Sequence, residues 1–148
     1  MISVEQELGK LGELTAWTLS LRDQAFIHQH VVDAWAAQHA DERSKPIAVA
    51  FALIGLYLHL EKGFTGREVQ RVHMLLGQPH RRGPGRKHWP RFPLPTKLAN
   101  LTAGDVLAAP EWERAAAIDR WCFSVWTVWS ESQQQVRDWA ARELENLS

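Results

Sequence analysis

Pro46-Ile-Ala-Val-Ala-Phe-Ala-Leu-Ile-Gly-Leu-Tyr-Leu-His-Leu-Glu-Lys-Gly63 is the stretch that decides the fold. Ser44, with Pro46 in the first turn, opens a helix, and Gly63 closes it after Glu61 and Lys62. Between those ends Val49, Phe51, Leu53, Ile54, Leu56, Tyr57, Leu58 and Leu60 point in nearly every direction, the pattern of a helix surrounded by other helices. Its one strip of small residues is Ala48, Ala52 and Gly55, with His59 at the end, all within roughly 60° of one another on a helical wheel. Such a strip admits the close approach of a second helix or leaves room for a ligand, and close packing is the reading we favour.

Working outward, the neighbours are helical too. Ser3 with Gln6 and Thr65 with Glu68 form capping boxes, and Thr102 with Asp105 caps a short helix through Ala109. Leu8, Leu11 and Leu14 continue a stripe towards Leu21 on the first helix, and Val69, Val72, Leu75 and Leu76 mark the fourth, which stops at Gly77. Pro110 suits the first turn of a last, long helix running from Glu111 to about Leu147. On that helix Ile118, Trp121, Val125, Val128, Trp129, Val136 and Trp139 make one apolar face, with Trp126 and Gln133 at its edge. Glu113, Arg120, Glu131 and Asp138 lie opposite and are expected in solvent. No segment alternates as a strand does. The expected architecture is all-α: a single helical domain over residues 1–148, a bundle of five to six helices with one long basic loop rich in proline and glycine at about 78–101.

Composition narrows the function classes. The chain has a formal net charge of +0, 45% hydrophobic and 23% charged residues, which is ordinary for a globular protein. A single Cys122 excludes an internal disulfide and four-thiolate zinc sites, and is expected as a small buried hydrophobe. The first residues lack a charged start followed by an apolar run, and Ile47–Leu60 is too short to span a bilayer easily, so a cytoplasmic protein without membrane insertion is expected. Eight tryptophans against one tyrosine supply either a large core or flat ligand walls.

Polar residues concentrate on the second helix, Phe26-Ile-His-Gln-His-Val-Val-Asp-Ala-Trp-Ala-Ala-Gln-His-Ala40. At about 100° per residue, His28, Val31, Val32, Trp35 and His39 share an apolar stripe, with His30, Asp33 and Ala37 on the other side. One helix therefore cannot bring His28, Asp33 and His39 to one point. Histidines hydrogen-bonded to neighbouring helices are the plain reading. The functional reading is a bundle pocket for a small molecule, possible enzyme chemistry being general acid or base catalysis by His28, His39 and His59, with Asp33 or Glu61 orienting a ring. Trp35, Gln38, Trp126, Trp129, Gln133 and Arg86 are the candidate ligand contacts. No cofactor is identified. An alternative is a mononuclear metal site using His28, His39 or His59 with one carboxylate.

Charge is segregated, for Val69–Gly104 holds Arg71, Arg81, Arg82, Arg86, Lys87, Arg91 and Lys97 and no acid. That loop suits phosphates or a carboxylate, with Trp89 available to stack on a base. The neutral balance of the whole and the absence of a basic helical stripe argue against nucleic acid. An interaction module that recruits a partner through the loop, or a homodimer through the tail helix, is the remaining alternative.

The run His28-Gln-His-Val-Val-Asp33-Ala-Trp35-Ala-Ala-Gln38-His39, together with Ile47-Ala-Val, the Leu-Glu-Lys-Gly63 ending, Thr102-Ala-Gly-Asp105-Val106 and the tryptophan-spaced tail Trp121–Trp139, resembles domain-of-unknown-function family 5946 over roughly residues 26–139. The resemblance implies a small helical protein and brings no assigned activity. His28, Asp33, Trp35, Gln38, His39 and Glu61 stand at positions that look like the family's pattern. Relatives often begin with a close cysteine pair, and tend to carry histidines where this chain reads Ser132-Gln133-Gln134 and near Ala52. If the family's site is metallic, the resemblance implies that this member has lost ligands.

Overall fold

The computed structural model describes residues 3–78 and 89–147. Among these residues it contains seven α-helices and no strand: α1 Val4–Ser20, α2 His28–Gln38, α3 Pro46–Lys62, α4 Gly66–Leu76, α5 Ala103–Ala108, α6 Arg114–Val128 and α7 Gln133–Leu147. The local signals act as expected at Ser3, Thr65 and Thr102, where each side chain accepts from the third backbone amide and a complete capping box forms. No helix among the described residues is long and apolar enough to cross a membrane.

Helix α3 is the axis. It packs against α2, α4, α6 and α7, and Leu53, Ile54, Leu56 and Leu58 are all but fully buried. Removing each such side chain from water contributes about 1.5–3 kcal/mol. The helix begins one residue later than its expected cap, because the Ser44 hydroxyl instead accepts from the Asp41 amide.

Two expectations are corrected. The tail is not one helix. A 3-10 turn at Glu111–Glu113 precedes α6, and a second at Ser130–Ser132 separates α6 from α7. At the second turn the Trp129 amide donates to the Trp126 carbonyl and Ser132 to Trp129, three residues back instead of four. This tightening drives the Trp129 indole inward, where its Nε1 donates to the Ala37 carbonyl at 3.3 Å. It also accounts for the count of seven instead of five to six.

Helix α2 presents the other face to the core. Its buried residues are Gln29, His30, Val31, Asp33, Ala34 and Ala37, whereas Val32 is 43% exposed and His39 lies at the surface. The reason is size: the alanines of α2 and Gly55 of α3 let the two axes approach, and the carboxyl of Asp33 occupies the space beside Gly55. Likewise Leu14 and Thr18 of α1 are buried, while Leu8 and Leu21, the residue just after the helix, are exposed.

The turn between α1 and α2 is held by α4. Phe26 adopts a left-handed backbone (φ 53), and its carbonyl lies against Gly66 so closely that a side chain at 66 would collide with it. The Arg67 amide donates to the Ala25 carbonyl at 2.8 Å, and the Arg67 guanidinium covers the Phe26 ring.

The expected basic loop falls in part outside the described residues, including Arg81, Arg82, Arg86 and Lys87. Residues 89–101 carry no helix or strand. They are anchored by buried Phe92 and by Trp89, which meets Phe51 and Trp139 edge-on.

Candidate functional site

The polar residues of α2 reach four separate environments. At its start, His28 Nδ1 lies 2.9 Å from the Thr18 hydroxyl of α1, and burial lowers the pKa of the ring. In mid-helix, Asp33 is fully enclosed. Burial raises its pKa well above the usual carboxylate range, against the opposing hydrogen bond from Gln29 Nε2 to Oδ1 at 3.1 Å. Oδ2 has no partner among the described residues. A neutral carboxyl is the form that tolerates this position, since an ion there would lose its hydration without compensation.

The chain of contacts continues from Gln29. Its amide nitrogen also makes a long 3.5 Å approach to Nδ1 of His73 on α4, and His73 Nε2 lies 2.8 Å from the Phe51 carbonyl. A carbonyl only accepts, so Nε2 of His73 carries the proton and Nδ1 is the acceptor for Gln29. Burial lowers the pKa of His73, which suits this neutral tautomer. Our sequence reading missed both Gln29 and His73. His73 was visible in principle, for it falls within the same helical stripe as Val69, Val72 and Leu76.

His59, on α3, stacks face to face on His30 of α2 with ring centroids 3.5 Å apart. Its Nδ1 faces the Phe64 carbonyl at 3.1 Å and its Nε2 the Asp119 carboxylate of α6 at 2.7 Å. Both partners accept, so the doubly protonated ring satisfies both. Burial pulls the pKa of His59 down, but Asp119 and the Phe64 carbonyl outweigh it and the net shift is upward. His30 moves the other way, to about 4, through its own burial and then the charge of His59. The stack therefore holds one proton-derived charge on His59. The Cys122 thiol of α6 donates to the His30 backbone carbonyl at 3.6 Å, and burial raises its pKa.

Glu61, Trp126 and Gln133 do meet one another. Trp126 Nε1 donates to Glu61 Oε2 at 2.9 Å, and Gln133 Nε2 donates to the Trp126 carbonyl. Arg137 of α7 grips both Glu61 oxygens at 2.8 Å, and chiefly for that reason Glu61 has a lowered pKa. Every acceptor atom of that carboxylate is already engaged, so this cluster reads as a brace joining α3, α6 and α7.

The far end of α2 is open. Gln38 donates to the Leu101 carbonyl at 2.8 Å and accepts from Trp121 Nε1 at 2.9 Å, tying the irregular segment and α6 to the helix end. His39 stacks on Trp35 with centroids 3.7 Å apart. Its Nδ1 faces the Trp35 carbonyl at 3.1 Å, and Nε2 lies 3.3 Å from Glu7 of α1. A cleft of about 310 Å³ opens here between Glu7, Gln38, His39, Lys97 and Thr102.

The candidate residues are thus divided. His28, His39 and His59 have no shared partner, and three turns of α2 separate the first two. Among the described residues, no three histidine, cysteine, aspartate or glutamate side chains are grouped so as to hold a metal ion. Trp129 is buried and bonded to Ala37, and Arg86 lies outside the described residues.

Searches of curated proteins and of solved structures each returned no match. A scan against known families matches residues 9–130 of the 148 to a family of unknown function, DUF5946. That span runs from within α1 to the end of α6 and takes in the whole of α2 with its polar residues, and the chain belongs to this family.

Proposed function

We propose that this protein binds a small molecule in the cleft at the C-terminal end of α2, with His39 as the group that exchanges a proton with the ligand. One observation carries the reading: His39 combines a fixed ring with a place on the wall of a cleft. Its plane is set by the stack on Trp35, and Nδ1–H donation to the Trp35 carbonyl aims Nε2 at Glu7. By contrast His28, His30, His59 and His73 stand in packed junctions between helices. The cleft has the size of a small-molecule site, for which about 300–1,000 Å³ is usual. Its walls mix Glu7, Lys97 and Thr102 with the apolar Ala37, Pro95 and Leu98, which suits a compact ligand having one polar end.

Gln38 acts here as a positioning residue. With both ends of its amide engaged, it holds the floor of the cleft and does not reach for the ligand.

A fragment panel followed by tryptophan fluorescence and by NMR of the Trp35 and His39 signals tests the proposal. Binders should move those signals, and His39→Gln should weaken them by about tenfold, the loss of one well-placed hydrogen bond to a charged group. Binders that leave both signals in place, or that ignore His39→Gln, overturn it.

A further inference from the structure

Pro95 and Lys97 form a ridge with a cleft on either side. The second cleft, also about 310 Å³, lies between residues 93–97 and the turn from Thr127 to Ser132 that separates α6 from α7. From its lining we infer a second binding site, for a free α-amino acid with an apolar side chain.

Two unpaired opposite charges define it. Lys97 and Glu131 both line the cleft, and among the described residues neither takes part in an ion pair. A simple anion would meet Glu131 and a simple cation would meet Lys97, while a neutral ligand would leave both in water. A zwitterion answers both at once: its ammonium group faces Glu131 and its carboxylate faces Lys97.

A third polar group belongs to the same wall. Ser132 is 1% exposed, and its hydroxyl has no hydrogen-bond partner among the described residues. Its oxygen is closed to water as well, so the hydroxyl lies behind the wall and does not itself touch the ligand. The Thr127 hydroxyl is committed as well, because it donates to the Phe123 carbonyl at 2.7 Å, which leaves Lys97 and Glu131 as the groups that hold the ligand. Pro93, Leu94, Pro95 and Val128 supply the apolar part, where the ligand's side chain would lie. At this volume a free amino acid fits better than a folded partner or a long peptide.

The probe is L-leucine, added to the full chain and followed by calorimetry and by the backbone amide signals of residues 127–132. Leucine should bind and move them. N-acetyl-leucine, which lacks the ammonium group, and leucinamide, which lacks the carboxylate, should each bind about tenfold more weakly. Glu131→Gln should erase the discrimination against N-acetyl-leucine alone, and Lys97→Met that against leucinamide alone. Both positions are exposed, so neither variant endangers the fold. Silence of residues 127–132 towards leucine, equal binding of the three compounds, or equal loss of all three in both variants overturns the inference. His39 lines only the first cleft and Glu131 only the second. Retention of leucine binding in His39→Gln therefore separates the fate of this site from that of the other.

Discussion

The carboxyl of Asp33 and the bare Cα of Gly55 face each other across the α2–α3 contact with no room for a methyl group between them. This one pair explains why α2 turns its polar side inward. Asp33 can sit against α3 at this point only because residue 55 has no side chain, and its short acid fills the space that is left.

Gly55→Ala should therefore destabilise the protein by about 1–3 kcal/mol, the usual cost of forcing extra volume into a packed core. Adding Asp33→Ala to that variant should recover part of the loss, a non-additivity that a double-mutant cycle in chemical denaturant measures directly. Strict additivity would mean that the two groups do not compete for the same space.

Asp33→Asn addresses the charge state. An acid whose folded pKa lies above its unfolded value contributes stability that is full below the unfolded value, near 3.8, and is lost as pH rises towards the folded pKa. Asparagine cannot ionise, so the variant should lack this part of the decline. Denaturation midpoints of the two proteins, compared from pH 4 to pH 8, should diverge steadily in favour of the variant.

The stacked imidazoles should titrate apart in NMR, His59 above 6.5 and His30 at about 4. Their effects on stability have opposite signs. His59 contributes below its unfolded pKa and that contribution fades as pH rises through its folded pKa. His30, neutral when folded, costs stability as pH falls from 6.5 towards 4. Asp119→Asn should lower the pKa of His59 and cost about 0.2–1 kcal/mol near pH 6, the range for a pair with one exposed partner. An unchanged His59 titration would show that the 2.7 Å contact does not hold the proton.

Gln38→Leu removes the acceptor for a fully buried indole. Leaving Trp121 Nε1 unpaired should cost about 1–3 kcal/mol, and freeing the Leu101 carbonyl should loosen the segment above the cleft. Thermal denaturation reads the first effect and amide exchange at residues 97–101 the second.

How far the sequence discloses this molecule depends on the range of the interaction. Caps at Ser3, Thr65 and Thr102 are local chemistry and were legible. So was the burial of α3, because a helix apolar on every side has few places to go. The orientation of α2 was not, since the deciding residue, Gly55, lies on another helix. Nor was the break at Trp129, which has neither proline nor glycine and owes its form to an indole reaching Ala37. The same holds for the site. Histidine-rich α2 was visible as a polar helix, yet the grouping of its residues depends on Glu7, Thr18, Phe51, His73 and Asp119 from elsewhere.

The left-handed carbonyl of Phe26 pressed on Gly66 has a practical corollary for anyone who wishes to splice this chain. Residues 21–27 resemble a loose connector on paper, yet a reporter peptide grafted there would push α4 off its seat. The exposed turn at residues 41–43, braced by hydrogen bonds within 41–44, is where foreign sequence can be accommodated.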